Sequence, residues 1–237
     1  MDKEYGKLYL IPATIGNPDP GRTIPGYNLN TIKQISSFIA ENISTSRRFL
    51  RKSGYTKDFN EVSFYTLDKH TTASELETYL QDCQNGENMG LMSESGIPCI
   101  ADPGSLIVSM AHRKGIQVVP LSGPSSLLLA LMASGFNGQN FAFIGYLPVE
   151  ADHLVRKIRE IEKIACTQDQ TQIFIEAPYR NNRLAGFLLK ECKPSTLLCI
   201  ACELSMDTEQ VISKSINDWK TTKFDFNKKN CVFLIYH

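Results

Sequence analysis

The chain has 237 residues, 42% of them apolar, with 25 basic and 25 acidic side chains and no formal net charge. That length suits one large α/β unit or two small domains, and the apolar content excludes a disordered chain. The balanced charge excludes a polyanion binder driven by its overall field, so any nucleic-acid contact must come from a local patch.

Taken in chain order, the opening MDKEYGKLYLIPA carries acids ahead of a short apolar run, unlike a signal peptide. No apolar run approaches ~18 residues, so no membrane span is expected and the expected location is the cytoplasm. Strands are predicted over KLYLIPA, SFIAEN, EVSFYTL, NMGLM, IQVVPL, FAFIGYL, TQIFIEA, STLLCIACEL, EQVISKS and CVFLIYH. Helices are predicted over 72–83, 105–114, 125–133, 151–165 and 181–190. The first half alternates strand and helix without tight hairpins, which predicts a mostly parallel sheet. The last third sets two strands close together and predicts an antiparallel pair, hence a mixed sheet. The expected architecture is α/β, with an N-terminal α/β lobe over 1–120 and a C-terminal α/β lobe over 121–237.

Glycine and proline cluster just past three predicted strands, in PATIGNPDPG, SESGIPCIADPG and PLSGPSS. Parallel sheets bind ligands at such carboxyl ends, where irregular backbone leaves amides and carbonyls unpaired. No G-x-G-x-x-G, P-loop or G-x-S-x-G pattern occurs, which argues against a dinucleotide, a nucleoside triphosphate or a serine hydrolase. The prolines after Gly16 are expected to block a helix start at Pro20. His70, His112, His153 and His237 have no metal-ligand spacing, and His112 sits with Arg113 and Lys114 at a predicted helix end, where cations suit the dipole. Several of the seven cysteines, Cys199, Cys202 and Cys231, fall inside apolar runs, as reduced core thiols do. Cys199 and Cys202 form a C-x-x-C, but on a strand their odd offset sends them to opposite faces, so no zinc site is expected.

LYLIPATIGNPDP, the stretch from MSESGIPCIADPG through PLSGPSSLLLALMASGF, FIEAPYRNNRL and ACELSMDTEQV are similar to the tetrapyrrole-methylase superfamily. Within it they most resemble the branch that methylates a cytidine 2′-hydroxyl of small-subunit ribosomal RNA. The resemblance runs from residue 7 to residue 236, with the motifs in the family's order. It implies two lobes of tetrapyrrole-methylase type, S-adenosylmethionine folded into the cleft between them, a homodimer, and ribosomal RNA as partner. Five segments depart from the branch, one of them Pro18-Asp19-Pro20, which replaces the acidic residues usual after Asn17. Glu94-Ser95-Gly96-Ile97-Pro98 stands for Asp-Ala-Gly-Thr-Pro, and Thr14-Ile15-Gly16-Asn17 for Pro-Ile-Gly-Asn, with a proline moved to Pro12. Glu176-Ala177-Pro178-Tyr179-Arg180 stands for Glu-Ser-Pro-His-Arg, and Met206 replaces a lysine.

S-adenosylmethionine carries no phosphate; it needs edges for adenine, partners for ribose hydroxyls and groups for an amino-acid zwitterion. Exposed backbone at Ser95, Gly96, Ile97, Cys99 and Ile100 is expected to supply these, with the hydroxyls of Ser125 and Ser126 at a helix start. The resemblance extends the cofactor set to Ala177 and Cys202, and no metal is expected. Transfer from a sulfonium relies on positioning, but a ribose hydroxyl must lose its proton. Glu94 and Glu203, each just past a strand, are the candidate catalytic carboxylates, with Glu176 beside them. Asn17, Glu41, Arg47, Arg48 and Arg180 are the candidate substrate contacts. On a helix, Arg47, Arg48, Arg51 and Lys52 form one contiguous cationic face, which suits RNA phosphates. Two other readings stay open: the same chemistry on a tetrapyrrole-like small molecule or a protein, and a catalytically silent cofactor-binding module.

Overall fold

The computed structural model describes residues 4–68 and 71–237, and His70 lies outside them. The chain divides into two compact units, Met1–Ser125 and Ser126–His237. In the first, strands β1 (Leu8–Ile11), β2 (Ser37–Ala40), β3 (Ser63–Thr66), β4 (Met89–Met92) and β5 (Val118–Pro120) form one sheet in the order β3-β2-β4-β1-β5. Every pairing in it is parallel. Both β2 and β4 are buried along their whole length, because central strands of such a sheet are covered on both faces.

The covering helices are α1 (Pro20–Thr23), α2 (Gly26–Ile32), α3 (Ile43–Lys52), α4 (Ala73–Leu76), α5 (Gln81–Gln84) and α6 (Ser105–Arg113). Alternate strand residues feed two core layers. Leu8, Ile39, Met89 and Leu91 pack with Ile107, Met110 and Ala111 of α6, whereas Ile11, Phe38, Ala40 and Met92 pack with Ile32 of α2 and Leu50 of α3.

Two helix expectations change. Pro20 does not block a helix; it opens α1, where its missing N–H is not needed, and the Asp19 side chain caps the turn by accepting from the Gly21 amide at 2.9 Å. The single helix expected over 72–83 is broken between α4 and α5. Thr72 and Glu75 form a reciprocal capping box, but the Thr78 hydroxyl then binds the Glu75 carbonyl at 2.7 Å. The backbone there tightens to i→i−3 bonds, from Thr78 to Glu75 and from Tyr79 to Leu76.

The second unit holds β6 (Phe141–Tyr146), β7 (Thr171–Ile175), β8 (Leu197–Cys202), β9 (Gln210–Ser215) and β10 (Cys231–Tyr236), in the order β6-β7-β10-β8-β9. Only β6 and β7 run parallel, and the β8–β9 pair is antiparallel, as the short connection predicts. Its helices are α7 (Ser126–Ser134), α8 (Ala151–Gln168), α9 (Asn181–Glu191) and α10 (Ile216–Trp219). Leu154, Ile158 and Ile161 of α8 and Leu184 and Leu188 of α9 bury one sheet face around Phe174, Phe233 and Trp219. The Trp219 indole N–H donates to the Leu198 carbonyl at 2.8 Å, so the buried ring leaves no polar atom unpaired.

Candidate functional site

Adjacent placement of β4, β1 and β5 brings three loops together at the carboxyl edge of the first sheet. The Ala13 amide donates to the Gly96 carbonyl at 2.9 Å, joining the β1 and β4 loops. Asn28 of α2 holds the β5 loop by donating to the Ser122 carbonyl at 2.6 Å. Gly96 sits at φ +71°, with the place of a Cβ 3.3 Å from the Pro124 carbonyl oxygen and 3.4 Å from Ile15.

The β4 loop is held in a costly backbone conformation. Cys99 and Ala101 both lie in the left-handed region, at φ 70° and 59°, where each non-glycine residue loses roughly 1–2 kcal/mol. The Asp102 carboxylate offsets this by accepting from the amides of Cys99 and Gly104, both at 2.8 Å. Ile100, between the two left-handed residues, is exposed. Among the described residues, the amides of Gly96, Ile97 and Ala101 have no protein acceptor. Ser125 is buried at the end of the β5 loop, and Ser126 opens α7.

Across β1 from β5, the ends of β2, β3 and β4 carry carboxylates. Partial burial, then the charges of Glu94, Asp102 and Asp68, push the Glu41 carboxyl above its ordinary value. A carboxyl raised in this way destabilises the fold when ionised, and that cost disappears as pH falls through its folded pKa. Glu41→Gln is therefore expected to unfold at higher temperature than the parent near neutral pH, with the two curves converging in acid. Thermal melts across that range check it. Among the described residues no group of three or more His, Cys, Asp or Glu side chains is arranged to hold a metal.

Asn42 caps α3, its side-chain oxygen accepting from the amides of Ser44 and Thr45 at 2.9 and 3.2 Å. One turn in, the Thr45 hydroxyl donates to Glu94 at 2.6 Å and ties the helix to the β4 loop. Asn42→Ala is expected to cost about 1 kcal/mol and lower the melting temperature by about 2–4 °C, read by calorimetry. Arg48 and Lys52 line a cavity of about 140 Å³ together with Thr14, Pro18, Thr45 and Glu94. Arg47 turns away, its guanidinium 5.2 and 5.0 Å from the ring centres of Phe59 and Phe64. The face predicted as contiguous is thus split between a cavity and an aromatic cluster. Asn17 is occupied locally, accepting from the Asp19 amide at 2.9 Å.

The remaining candidates lie in the second unit. Glu176 is bound by Arg180 through Nε at 2.9 Å and Nη2 at 2.6 Å, and it also accepts from the Ala177 amide at 2.7 Å. Glu203, at φ 54°, accepts from the Asn230 amide at 2.8 Å. Cys199 and Cys202 are both buried, and Cys202 packs in the Trp219 core while Cys199 lies outside that cluster. Burial pushes the Cys199 thiol up to about 12. Cys202 faces Cys231 across the β8–β10 ladder, and the hydrogen bond between them lowers one thiol and raises the other. The sequence reading did not anticipate the Asp102 clasp, the Thr45–Glu94 tie or the Cys202–Cys231 pair. Asp102 had a legible signal, an acid two residues before a glycine that opens a helix.

These loops lie outside the carboxyl ends of a parallel sheet, where enzymes of the α/β class generally bind their ligands. Residues 7–219 match the family model of Tetrapyrrole (Corrin/Porphyrin) Methylases, and the chain belongs to that family. It is an S-adenosylmethionine-dependent methyltransferase. Ribosomal RNA small subunit methyltransferase I of Pseudomonas aeruginosa is 28% identical, over 97% of this chain and 78% of its own length. The protein of that name from Bacillus subtilis is 28% identical over 91% of this chain and 69% of its own. Crystal structures of the methyltransferase CobJ and of cobalt precorrin-4 methyltransferase share the fold, with TM-scores of 0.64 and 0.61 at 16% identity. They cover 98% and 97% of this chain and 94% of their own.

The first unit's loops suit S-adenosylmethionine. Free amides at Gly96, Ile97 and Ala101 offer donors to a ligand without phosphates. The missing side chain at Gly96 leaves backbone open to close approach. Glu41, Glu94 and Asp102 stand close enough together that the charges of the latter two help raise the Glu41 carboxyl.

Proposed function

We propose that this enzyme methylates small-subunit ribosomal RNA at a ribose 2′-hydroxyl, acting as a homodimer in the cytoplasm. The likeness to relatives named for small-subunit ribosomal RNA, over nearly the whole chain, carries the substrate. Ser95, Gly96, Ile97, Cys99 and Ile100 hold the cofactor, largely through backbone, with Ser125 at the end of the neighbouring β5 loop. S-adenosylmethionine, when bound, supplies an electrophilic methyl group. The chain's own work is to position the ribose and take its proton.

Glu94 is the proton acceptor of this reading: it stands in the wall of the cavity that Arg48 and Lys52 line, and Thr45 fixes its orientation. Glu203 is the weaker choice because its carboxylate closes a turn on Asn230. As the hydroxyl oxygen takes the methyl carbon, whose bond to sulfur breaks with the electron pair left on sulfur, the hydroxyl proton passes to a Glu94 oxygen and then to solvent. Glu94→Gln is expected to lower kcat at least a hundredfold with little change in cofactor affinity, by single-turnover assay and calorimetry. The substrate test offers labelled cofactor with small-subunit RNA, tetrapyrrole precursors or protein, then maps the methylated position. Label on a ribose of the RNA supports the reading; label only on a tetrapyrrole or a protein, or none at all, overturns it.

A further inference from the structure

We infer that Arg48 and Lys52 hold one backbone phosphodiester of the RNA substrate in the cavity at the end of β1, β2 and β4, while Arg47 and Arg51 brace the fold. The inference rests on the RNA reading above and assigns which side chains carry it.

A helix advances about 100° per residue, so residues four apart share a face and adjacent residues do not. In α3 this produces two pairs with different surroundings. Arg51 lies 4.0 Å over the Phe59 ring centre and donates to the Tyr55 carbonyl at 2.8 Å. Arg47 also covers Phe59, and Phe64 with it. Phe59 stacks on Tyr55, a buried core residue whose hydroxyl donates to the Ile35 carbonyl at 2.6 Å. Both guanidinium planes are therefore committed to aromatic faces and backbone, and moving either onto a phosphate would uncover the edge of the core.

Arg48 and Lys52 have none of these partners. No described carboxylate lies within ion-pair distance of either; the ion pairs of the described residues lie elsewhere. Their cavity contains one carboxylate, Glu94, which the Thr45 hydroxyl holds. Two cations against one anion leave the wall with a single positive charge. That matches a phosphodiester, which carries one negative charge, better than a terminal phosphate carrying nearly two. At about 140 Å³ the cavity is smaller than the ~300–1,000 Å³ of small-molecule pockets. It admits a phosphate group and leaves the base and sugar outside. Glu94 borders it from the β4 loop that carries most of the proposed cofactor contacts, and Thr14 from the β1 loop bonded to it, so a phosphate seated there fixes the chain next to the reacting ribose.

Binding of a labelled single-stranded oligoribonucleotide across salt concentrations, with thermal melts of each variant, tests this. Arg48→Gln with Lys52→Gln keeps the side-chain stems and removes the charges. This variant is expected to bind about tenfold more weakly at low salt. Its slope of log affinity against log salt should flatten by about 0.7, the value for one phosphate. Arg47→Gln with Arg51→Gln is expected to keep the parent's slope and melt at lower temperature. A parent protein that shows no salt-dependent RNA binding overturns this inference and the RNA reading together. A parent that binds and methylates RNA, with its slope unchanged in the Arg48–Lys52 variant or flattened in the Arg47–Arg51 variant, overturns this inference alone.

Discussion

Gly96→Val is expected to weaken S-adenosylmethionine binding by more than tenfold, about 1.4 kcal/mol, while the protein still folds. Two effects act together. Gly96 adopts φ +71°, a region costing an L side chain roughly 1–2 kcal/mol, and a β-branched side chain is worst placed there. Its Cβ would also stand 3.3 Å from the Pro124 carbonyl oxygen and 3.4 Å from Ile15, so the valine methyls force the β4 and β5 loops apart. The β4 loop carries the free amides, and the Gly96 carbonyl is itself the anchor for Ala13. The strand beneath does not depend on the loop, because β4 is buried between β1 and β2 along its whole length. The melting temperature should therefore fall only by about 2–8 °C. Calorimetric titration of cofactor into parent, Gly96→Ala and Gly96→Val should show a graded loss. Equal affinity in all three would remove the β4 loop from the binding site.

All ten strands were legible because each is a short apolar run flanked by glycine, proline or polar residues. The parallel first sheet and the antiparallel β8–β9 pair were legible too, from helix-length and short connections respectively, whereas the antiparallel insertion of β10 between β7 and β8 was not. What else was not legible turned on side-chain hydrogen bonds that periodicity cannot register. Thr78 ends a helical pattern by taking the Glu75 carbonyl, and Asp19 starts a helix where prolines seemed to forbid one. The site divides the same way. The β4 loop declared itself by composition, since so many helix-hostile residues past a buried strand leave few other uses. The cationic face did not, because spacing on a helix gives a side chain's direction without saying what it meets. Arg47 and Arg51 meet Phe59, Phe64 and Tyr55, which the chain brings back against α3 from the loop that follows the helix and from β3.

Gly123→Ala is expected to destabilise the first unit by about 1–3 kcal/mol, as overpacking does, and to impair cofactor binding with it. A Cβ at position 123 would lie 2.2 Å from Pro12 Cβ and 2.3 Å from its Cγ. Both contacts are far inside van der Waals distance, and the proline ring has no rotamer by which to move aside. Gly123 does not lie in the left-handed region, so the clash is purely steric. The bare backbone of Gly123 is what gives the Pro12 ring room. The two residues should therefore be coupled. Pro12→Gly removes both offending atoms, at a cost of up to about 1 kcal/mol through the freer unfolded chain. If the contact is the cause, Gly123→Ala is relieved in the Pro12→Gly background, and the double variant melts above the Gly123→Ala single. Cofactor affinity should recover with it, since the β1 and β5 loops can close to their original separation. A double variant that melts at or below the sum of its parts would place the role of Gly123 in its backbone freedom, and the Pro12 contact would be incidental.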